Sequence, residues 1–388
     1  MDAQHTSYHP LKIIYIHSND LSKNETSETF VVNNALSLAE RGVEIHLFVT
    51  NRSATSGEQI LLQKFNIEQL PNNLHLHAYR LSGKGHWSFY RAVAKFIKQE
   101  GNEEAVIITR KHSVLPHLVL ARRLRQKLIF ETHDFFYDLS LRKDLKRHKR
   151  RKHSIIEKLF FGKLDALICL NSFQRDLYAQ RLSIPIKVFP TGFRMAVQEP
   201  AEKEKLLLYI GAFEERKGID NILNLAQRLD KSYTFVLVGS RKETEINALN
   251  AEVQRRGIDD RVQVREWLSK KELNEMLLRA KIGLLPLKAG YFNEFLTVPL
   301  KYFDYAAFGL PVIASDFPSL GTYIKDDYNG FLVDWNDLES VRSKVENVMA
   351  DPQYWRQLSQ NQQERSVDLT WEKRAGDQVD YFTQLRLQ

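Results

Sequence analysis

Short β-branched runs alternate with stretches of helical periodicity along almost the whole chain, and repeated alternation of this kind is best satisfied by parallel βαβ units. Residues 11–17 read as a first strand. Residues 30–41 follow as a helix, with Phe30, Val31, Ala35, Leu38 and Ala39 at helical spacing and Gly42 as terminator. Residues 43–50, 105–109, 127–131, 166–170 and 187–189 extend this first series of strands. A second series opens with a strand at 206–210, a helix at 218–229 and a strand at 233–238. It runs on through strands at 262–264, 282–286, 312–314 and 330–333. Between the series, residues 195–205 are polar, contain Pro200 and lack apolar periodicity, so the interdomain linker is placed there. A chain of 388 residues gives each half enough apolar surface for its own core. The expected architecture is α/β, with two Rossmann-like parallel-sheet domains facing a central cleft. The first spans 1–195, with residues 370–388 packing back on it, and the second spans 196–369. Ligands of such sheets sit beyond the carboxyl ends of the strands.

Charge and cysteine content narrow the setting. Residues 1–195 hold 30 Lys/Arg against 18 Asp/Glu, whereas the remainder holds 26 against 30. Much of the excess lies in residues 142–152, RKDLKRHKRRK, where Arg142, Lys143, Lys146 and Arg147 begin the run. Such a run is a solvated helix face, a surface for anionic lipid headgroups, or a nucleic-acid contact. The absence of interleaved aromatic residues argues against nucleic acid. Cys169, the single cysteine, lies in an apolar run and reads as a small buried hydrophobe, consistent with a reducing, cytoplasmic setting. Residues 1–10 show no apolar core of a signal peptide, and no apolar stretch approaches the roughly 20 residues of a membrane span. Any membrane association is therefore expected to be peripheral, on the inner face of the cell membrane.

Chemistry concentrates in the second half. Residues 211–218, GAFEERKG, leave a strand and open a helix, where unpaired N–H groups and the helix dipole favour anions. Gly211 starts that loop, and Arg216 and Lys217 add positive charge. Downstream, residues 292–315 read FNEFLTVPLKYFDYAAFGLPVIAS. A loop passes through Pro299 into a short helix on which Lys301 and Asp304 stand at i, i+3, one face presenting a cation beside a carboxylate. Such a pair also occurs as a plain surface ion pair.

These stretches resemble the retaining family-4 glycosyltransferases of the GT-B fold. The resemblance is carried by the loop ending Lys217-Gly218, by the run Ala306-Ala307-Phe308-Gly309-Leu310-Pro311-Val312-Ile313, by Asn329-Gly330-Phe331-Leu332-Val333, by Thr370-Trp371-Glu372, and by Glu131-Thr132-His133-Asp134. It implies that Lys217 binds the diphosphate of a nucleotide-sugar donor and that Asp304 holds the ribose hydroxyls. His133 matches the histidine that contacts the transferred sugar. The nucleobase is expected against Glu266, Trp267 and Leu268, and backbone N–H groups from the loop of Phe292, Glu294, Phe295, Leu296 and Thr297. Three departures stand out. Ala212 replaces the basic residue usual after the loop glycine, Leu296 falls where the first acid of an acidic-x7-acidic pair is expected, and Asp304 stands where Glu is usual. Lys301, with Arg216 second, is the candidate to restore the missing charge, and Glu294 lies close to the missing carboxylate.

Departure of a nucleoside diphosphate needs preorganised positive charge more than a strong base. No Asp-x-Asp occurs, and no His/Cys cluster has metal-ligand spacing along the sequence, so no metal or other cofactor is expected. The expected activity is metal-independent hexosyl transfer, glucose from UDP-glucose as first choice, to a lipid-linked or polysaccharide acceptor. Arg110 and Lys111, at the end of a strand, are read as emerging towards an anionic acceptor. The competing readings are a GDP-mannose-dependent transferase, a nucleotide-sugar epimerase, and a non-catalytic basic protein binding membranes or nucleic acid.

Overall fold

The computed structural model describes residues 11–387 apart from 24–25, 66, 82–84, 100–103, 144, 195–202 and 241, so most of the expected linker lies outside the described residues. The chain divides into two compact units, residues 1–191 with 371–388 and residues 192–370.

The first unit is built on β1 (Lys12–Asp20), β2 (Glu44–Asn51), β3 (Leu74–Arg80), β4 (Ala105–Thr109), β5 (Lys127–Glu131), β6 (Ala166–Cys169) and β7 (Ile186–Val188). They form one sheet in the order β3-β2-β1-β4-β5-β6-β7, and every pair is parallel. Strands β4 and β6 are buried along their whole length, as a sheet covered on both faces requires. Cys169 is buried in β6, and burial pushes its thiol pKa well up, so it packs as a hydrophobe. The edge strand β3, LHLHAYR, is absent from the sequence reading: only Leu74 of it is buried, and its histidines break the apolar run. The closing helix Trp371–Arg386 packs against the helix Thr26–Glu40, with the rings of Trp371 and Phe30 edge to face at 5.1 Å. Arg374 is fully enclosed there, bonded to Glu131, to the Phe189 carbonyl and to Asn34 Oδ1. A guanidinium is tolerated in that position because each of its partners is an acceptor.

The second unit contains β8 (Leu206–Ile210), β9 (Thr234–Ser240), β10 (Val262–Glu266), β11 (Ile282–Leu285), β12 (Val312–Ser315) and β13 (Gly330–Val333). Their order is β10-β9-β8-β11-β12-β13, again all parallel. Two-residue alternation distributes β8 between two cores. Leu207 and Tyr209 join the cluster of Ile222, Phe235 and Trp355, while Leu206, Leu208 and Ile210 join that of Tyr302, Tyr305 and Leu310. Burying each such leucine contributes about 1.5–3 kcal/mol. Tyr305 also stitches the sheet. Its hydroxyl donates to the Leu208 carbonyl at 3.0 Å and accepts from Ile210 N at 3.1 Å. Its ring lies over Gly283, where an added Cβ would come within 2.6 Å.

Because all strands in each unit run the same way, their carboxyl ends share one edge. At that edge of the second unit, Gly218 adopts φ 70° between a short turn and the helix Ile219–Ala226. A Cβ there would meet the Pro286 carbonyl oxygen at 1.7 Å, so only glycine lets the loops after β8 and β11 close together.

Candidate functional site

In the second unit the edge beyond β8 brings Lys217 and Lys301 together, while its carboxylates pair with other cations. Lys301, from the helix Leu300–Ala307, lays its stem across Gly211, where a Cβ would stand 1.9 Å from the lysine Nζ. Nζ lies 3.3 Å from the Tyr209 hydroxyl and 4.7 Å from that ring's centroid. Burial, followed by the nearby Lys217 charge, brings the Lys301 pKa down to about 7. Lys217 is lowered as well, by burial and then by Arg216, with Glu214 opposing. Neither lysine makes an ion pair among the described residues. Two partly desolvated ammonium groups that repel each other form a cradle in which an anion would be stabilised. The N-terminus of the helix Ile219–Ala226, which has no side-chain cap, adds its dipole at the same loop.

Arg216 is more exposed, and Glu214 takes much of its charge at 2.6 Å. Asn293 holds the loops together, its amide donating to the Lys288 carbonyl at 2.7 Å and the Arg216 carbonyl at 3.2 Å.

On the same helix, Asp304 is half-buried. Burial raises its pKa, and Lys270, 3.7 Å away, opposes that rise ahead of Lys301. Lys270 is absent from the sequence reading, because it enters from the start of another helix, Lys270–Arg279. Trp267 is 44% exposed just after β10, and its backbone N–H donates to the Ser240 carbonyl at 3.0 Å. Leu268 packs beneath it on the second core.

Two expectations for the loop 292–297 require correction, those for its N–H groups and for Glu294. Leu296 is buried in the core and presents no side chain to a ligand, although it occupies the position of the expected acid. The N–H groups of Glu294 and Thr297 already donate to the carbonyls of Gly290 (2.9 Å) and Phe292 (2.8 Å), because residues Phe292–Leu296 form a π-helical turn. They are therefore not free to bind a ligand. The Glu294 carboxylate accepts from Gly290 N at 2.7 Å, so it closes this loop and does not replace the missing acid. Phe295 packs its ring on Tyr291, centroids 5.1 Å apart.

In the first unit, His133 is exposed directly after β5. Desolvation, then the charge of Arg110, pulls its pKa below the usual 6.5. Two expected surface cations are not on the surface. Arg110 is buried, its guanidinium 3.6 Å from the Phe30 centroid and 3.9 Å from Glu131. Arg142 is buried in an ion pair with Asp134. Both were misread because their carboxylate partners are distant in sequence or hidden by the turn. Lys143, Lys146 and Arg147 are exposed, as the charge run suggested. The helix Arg147–Phe160 that continues the run also exposes Ile155 (57%) and Leu159 (58%).

Sequence reading also missed His17 and Glu28, at the carboxyl end of β1 and in the helix that follows. Each is 1% exposed. Neither ring nitrogen of His17 and neither Glu28 oxygen makes a hydrogen bond of full geometry among the described residues, and the two groups lie 3.8 Å apart. Burial lowers the His17 pKa well below 6.5 and raises that of Glu28, with the Asn19 amide partly offsetting the latter.

Comparison with known proteins adds two family matches. Residues 193–365 match the model described as glycosyl transferases group 1, and residues 27–196 match the model of glycosyltransferase family 4. An uncharacterized 41.2 kDa protein from the cps region of Klebsiella pneumoniae is 26% identical over 57% of this chain and 61% of its own length. The Campylobacter jejuni α-1,4-N-acetyl-D-galactosaminyltransferase, named for a PP-undecaprenol-linked substrate, is 26% identical over 53% of this chain and 56% of its own length. The chain thus matches about three-fifths of these relatives' length. The structure of Anabaena HepE in complex with UDP and glucose superposes with a TM-score of 0.71 at 14% identity, covering 96% of this chain and 100% of HepE.

Proposed function

The chain belongs to the family-4 glycosyltransferases of GT-B fold, and on that premise we propose that it transfers a hexose, glucose as first choice, from a UDP-sugar to a lipid-linked or polysaccharide acceptor in cell-surface polysaccharide synthesis. The observation that carries this reading is the Lys217–Lys301 pair, half-desolvated, mutually repelling and without an ion-pair partner. A diphosphate bound there would be met by both charges. HepE holds UDP and glucose on the same fold, and relatives named for a capsule region and an undecaprenyl diphosphate substrate support the polymer context.

In this mechanism the acceptor hydroxyl oxygen forms a bond to the anomeric carbon as the bond from that carbon to the diphosphate oxygen breaks. UDP leaves with the electron pair, and the hydroxyl proton passes to a donor phosphate oxygen on the same face, which retains configuration. Lys217, Lys301 and the helix N-terminus stabilise the growing charge on the diphosphate without a metal ion. Asp304 accepts from the ribose hydroxyls, Trp267 and Leu268 meet the base, and His133 orients the transferred sugar.

We assign the anionic membrane surface to Lys143, Lys146 and Arg147 with the exposed Ile155 and Leu159. Each basic residue near such a surface contributes about 1 kcal/mol. The helix Leu115–Ala121 packs beside Arg147–Phe160 and exposes Leu120 (80%). Among the described residues no helix is long and apolar enough to cross a membrane. Sedimentation with phosphatidylglycerol vesicles should carry the protein down at low salt and release Ile155→Glu; equal sedimentation of that variant would remove the apolar part of this assignment.

The decisive measurement is calorimetry of UDP, UDP-glucose, GDP and GDP-mannose in the presence of chelator, on the protein and on Lys217→Ala. UDP and UDP-glucose are expected to bind, with the variant weakened about 100-fold. Preference for the guanosine nucleotides would reassign the donor to GDP-mannose. Binding of neither series would end the donor-site reading.

A further inference from the structure

Far along the sheet from the strand ends just described, strand register assembles a group that sequence spacing conceals. Glu44 and His46 stand two apart on β2 and therefore point to the same face. His75 on β3 is the direct cross-strand partner of His46, and Lys12 on β1 that of Glu44. One ligand atom from each of Glu44, His46 and His75 lies within 4.8 Å of the others. His46 Nε2 is 2.9 Å from Glu44 Oε1, and its other nitrogen, Nδ1, is 3.0 Å from His77 Nε2. Phe96 covers His46 and His77 with ring centroids 5.0 and 5.2 Å away. His46 is buried, Glu44 is half-buried, and His75 is exposed, so the group has a dry side and an open side.

We propose that Glu44, His46 and His75 form a binding site for a divalent transition metal of the zinc type, clipping the edge strand β3 to β2, with water completing the coordination on the open side. Two imidazoles and a carboxylate suit Zn(II) and its neighbours, and tetrahedral coordination at the usual bond lengths sets ligand atoms roughly 3.3–3.5 Å apart. The observed spacing approaches this with small side-chain rotations. The His46–His77 contact offers the outer hydrogen bond that metal-bound histidines use to fix ring orientation: with an ion bound, Nδ1–H donates to His77 and Nε2 turns its lone pair to the ion in place of its contact with Glu44. Lys12 Nζ, 3.3 Å from Glu44 Oε1, occupies the carboxylate in the metal-free protein and is the group an incoming ion displaces. This site lies in the first unit and is independent of the metal-free chemistry assigned to Lys217 and Lys301.

The test uses the purified full chain, stripped with chelator and titrated with Zn(II) by calorimetry and with Co(II) by visible absorption. One Zn(II) per chain is expected, together with a Co(II) spectrum of low coordination number and a rise in melting temperature with Zn(II). His75→Ala, at an exposed position that does not challenge folding, should weaken Zn(II) at least tenfold, and His77→Ala by about 10–100-fold. His148→Ala, on the separate basic helix, should leave the affinity unchanged. Lys12→Met should tighten binding, because it removes the competing cation, an effect that mere loss of structure does not produce. No Zn(II) binding to the wild type, or equal binding by the wild type and His75→Ala with matching circular dichroism, would overturn the proposal.

Discussion

The first strand of each sheet, β1 in one unit and β8 in the other, holds the same place between its neighbours, yet the two strands end in opposite chemistry. Beyond β8 stand two lysines whose pKa values burial and neighbouring positive charge lower, beside an uncapped helix N-terminus. At the carboxyl end of β1 and in the helix after it stand His17 and Glu28, whose charged forms burial disfavours and which are short of hydrogen bonds. The first arrangement fits a diphosphate. The second fits a ligand that offers hydroxyl groups and little charge. A repeated topology thus supplies two equivalent places, and the side chains in the following loop and helix decide what each one binds. The glycines make part of the difference: Gly211 and Gly218 bring backbone and Lys301 close after β8, whereas residues 18–29 contain none.

The sharpest way to break this comparison is Lys301→Met, which keeps the stem and removes the charge. If the cradle is strained for an anion, donor affinity and turnover should fall about 100-fold while the fold gains about 1 kcal/mol, since the variant no longer buries an unpaired ammonium. Nucleotide calorimetry and thermal melts report the two effects separately. A variant that loses stability and keeps its UDP affinity would show that Lys301 is a structural lysine, and the contrast between the units would collapse.

Much of the second unit was legible in the sequence, and the reasons are physical. Strands 206–210 and 330–333 were read at their observed limits because short apolar runs buried on both faces carry the signal in composition alone. Lys217 and Lys301 were found because glycine and proline punctuate the loops that present them. The hidden features are those created by distant pairing. Arg110 and Arg142 looked like surface charge because Glu131 and Asp134 become their partners only in the folded chain. Strand β3 was missed, and with it the Glu44–His46–His75 cluster, because its histidines alternate with apolar residues and their meeting with β2 is set by register alone. Leu296 was read correctly as a departure. That the N–H groups of Glu294 and Thr297 are used inside the loop is visible only in the folded chain.

The comparison also predicts a pH signature confined to one unit. Free Lys301 titrates at about 7, and a bound diphosphate raises that pKa. Donor binding is therefore fully supported below pH 7 and weakens as the free lysine loses its proton, by up to about tenfold per pH unit. The same shift acts in reverse on folding. Between about 7 and 10.5 the unfolded chain holds a proton that the folded chain has released, so this group makes stability rise with pH across that window. Calorimetry of UDP from pH 6.5 to about pH 9 on the wild type and Lys301→Met tests the first effect; a slope that survives in the variant would assign the titration to another group.

The smallest and most selective effect is expected at Glu28. Replacing it with Gln keeps the shape, removes a carboxylate whose charged form burial disfavours, and leaves every residue of the lysine cradle untouched. Because its folded pKa is raised, Glu28 costs stability above the unfolded value and increasingly so as pH rises through the folded one. Glu28→Gln should therefore stabilise the first unit by about 1 kcal/mol at pH 7. If the place beyond β1 serves the acceptor, KM for acceptor should rise several-fold while UDP affinity stays at the wild-type value. A fall in UDP affinity would mean that the two strand ends do not divide the ligands between them. An unchanged acceptor KM together with the stability gain would make Glu28 a buried cost with no ligand to offset it, leaving His133 as the residue of the first unit on which sugar recognition depends.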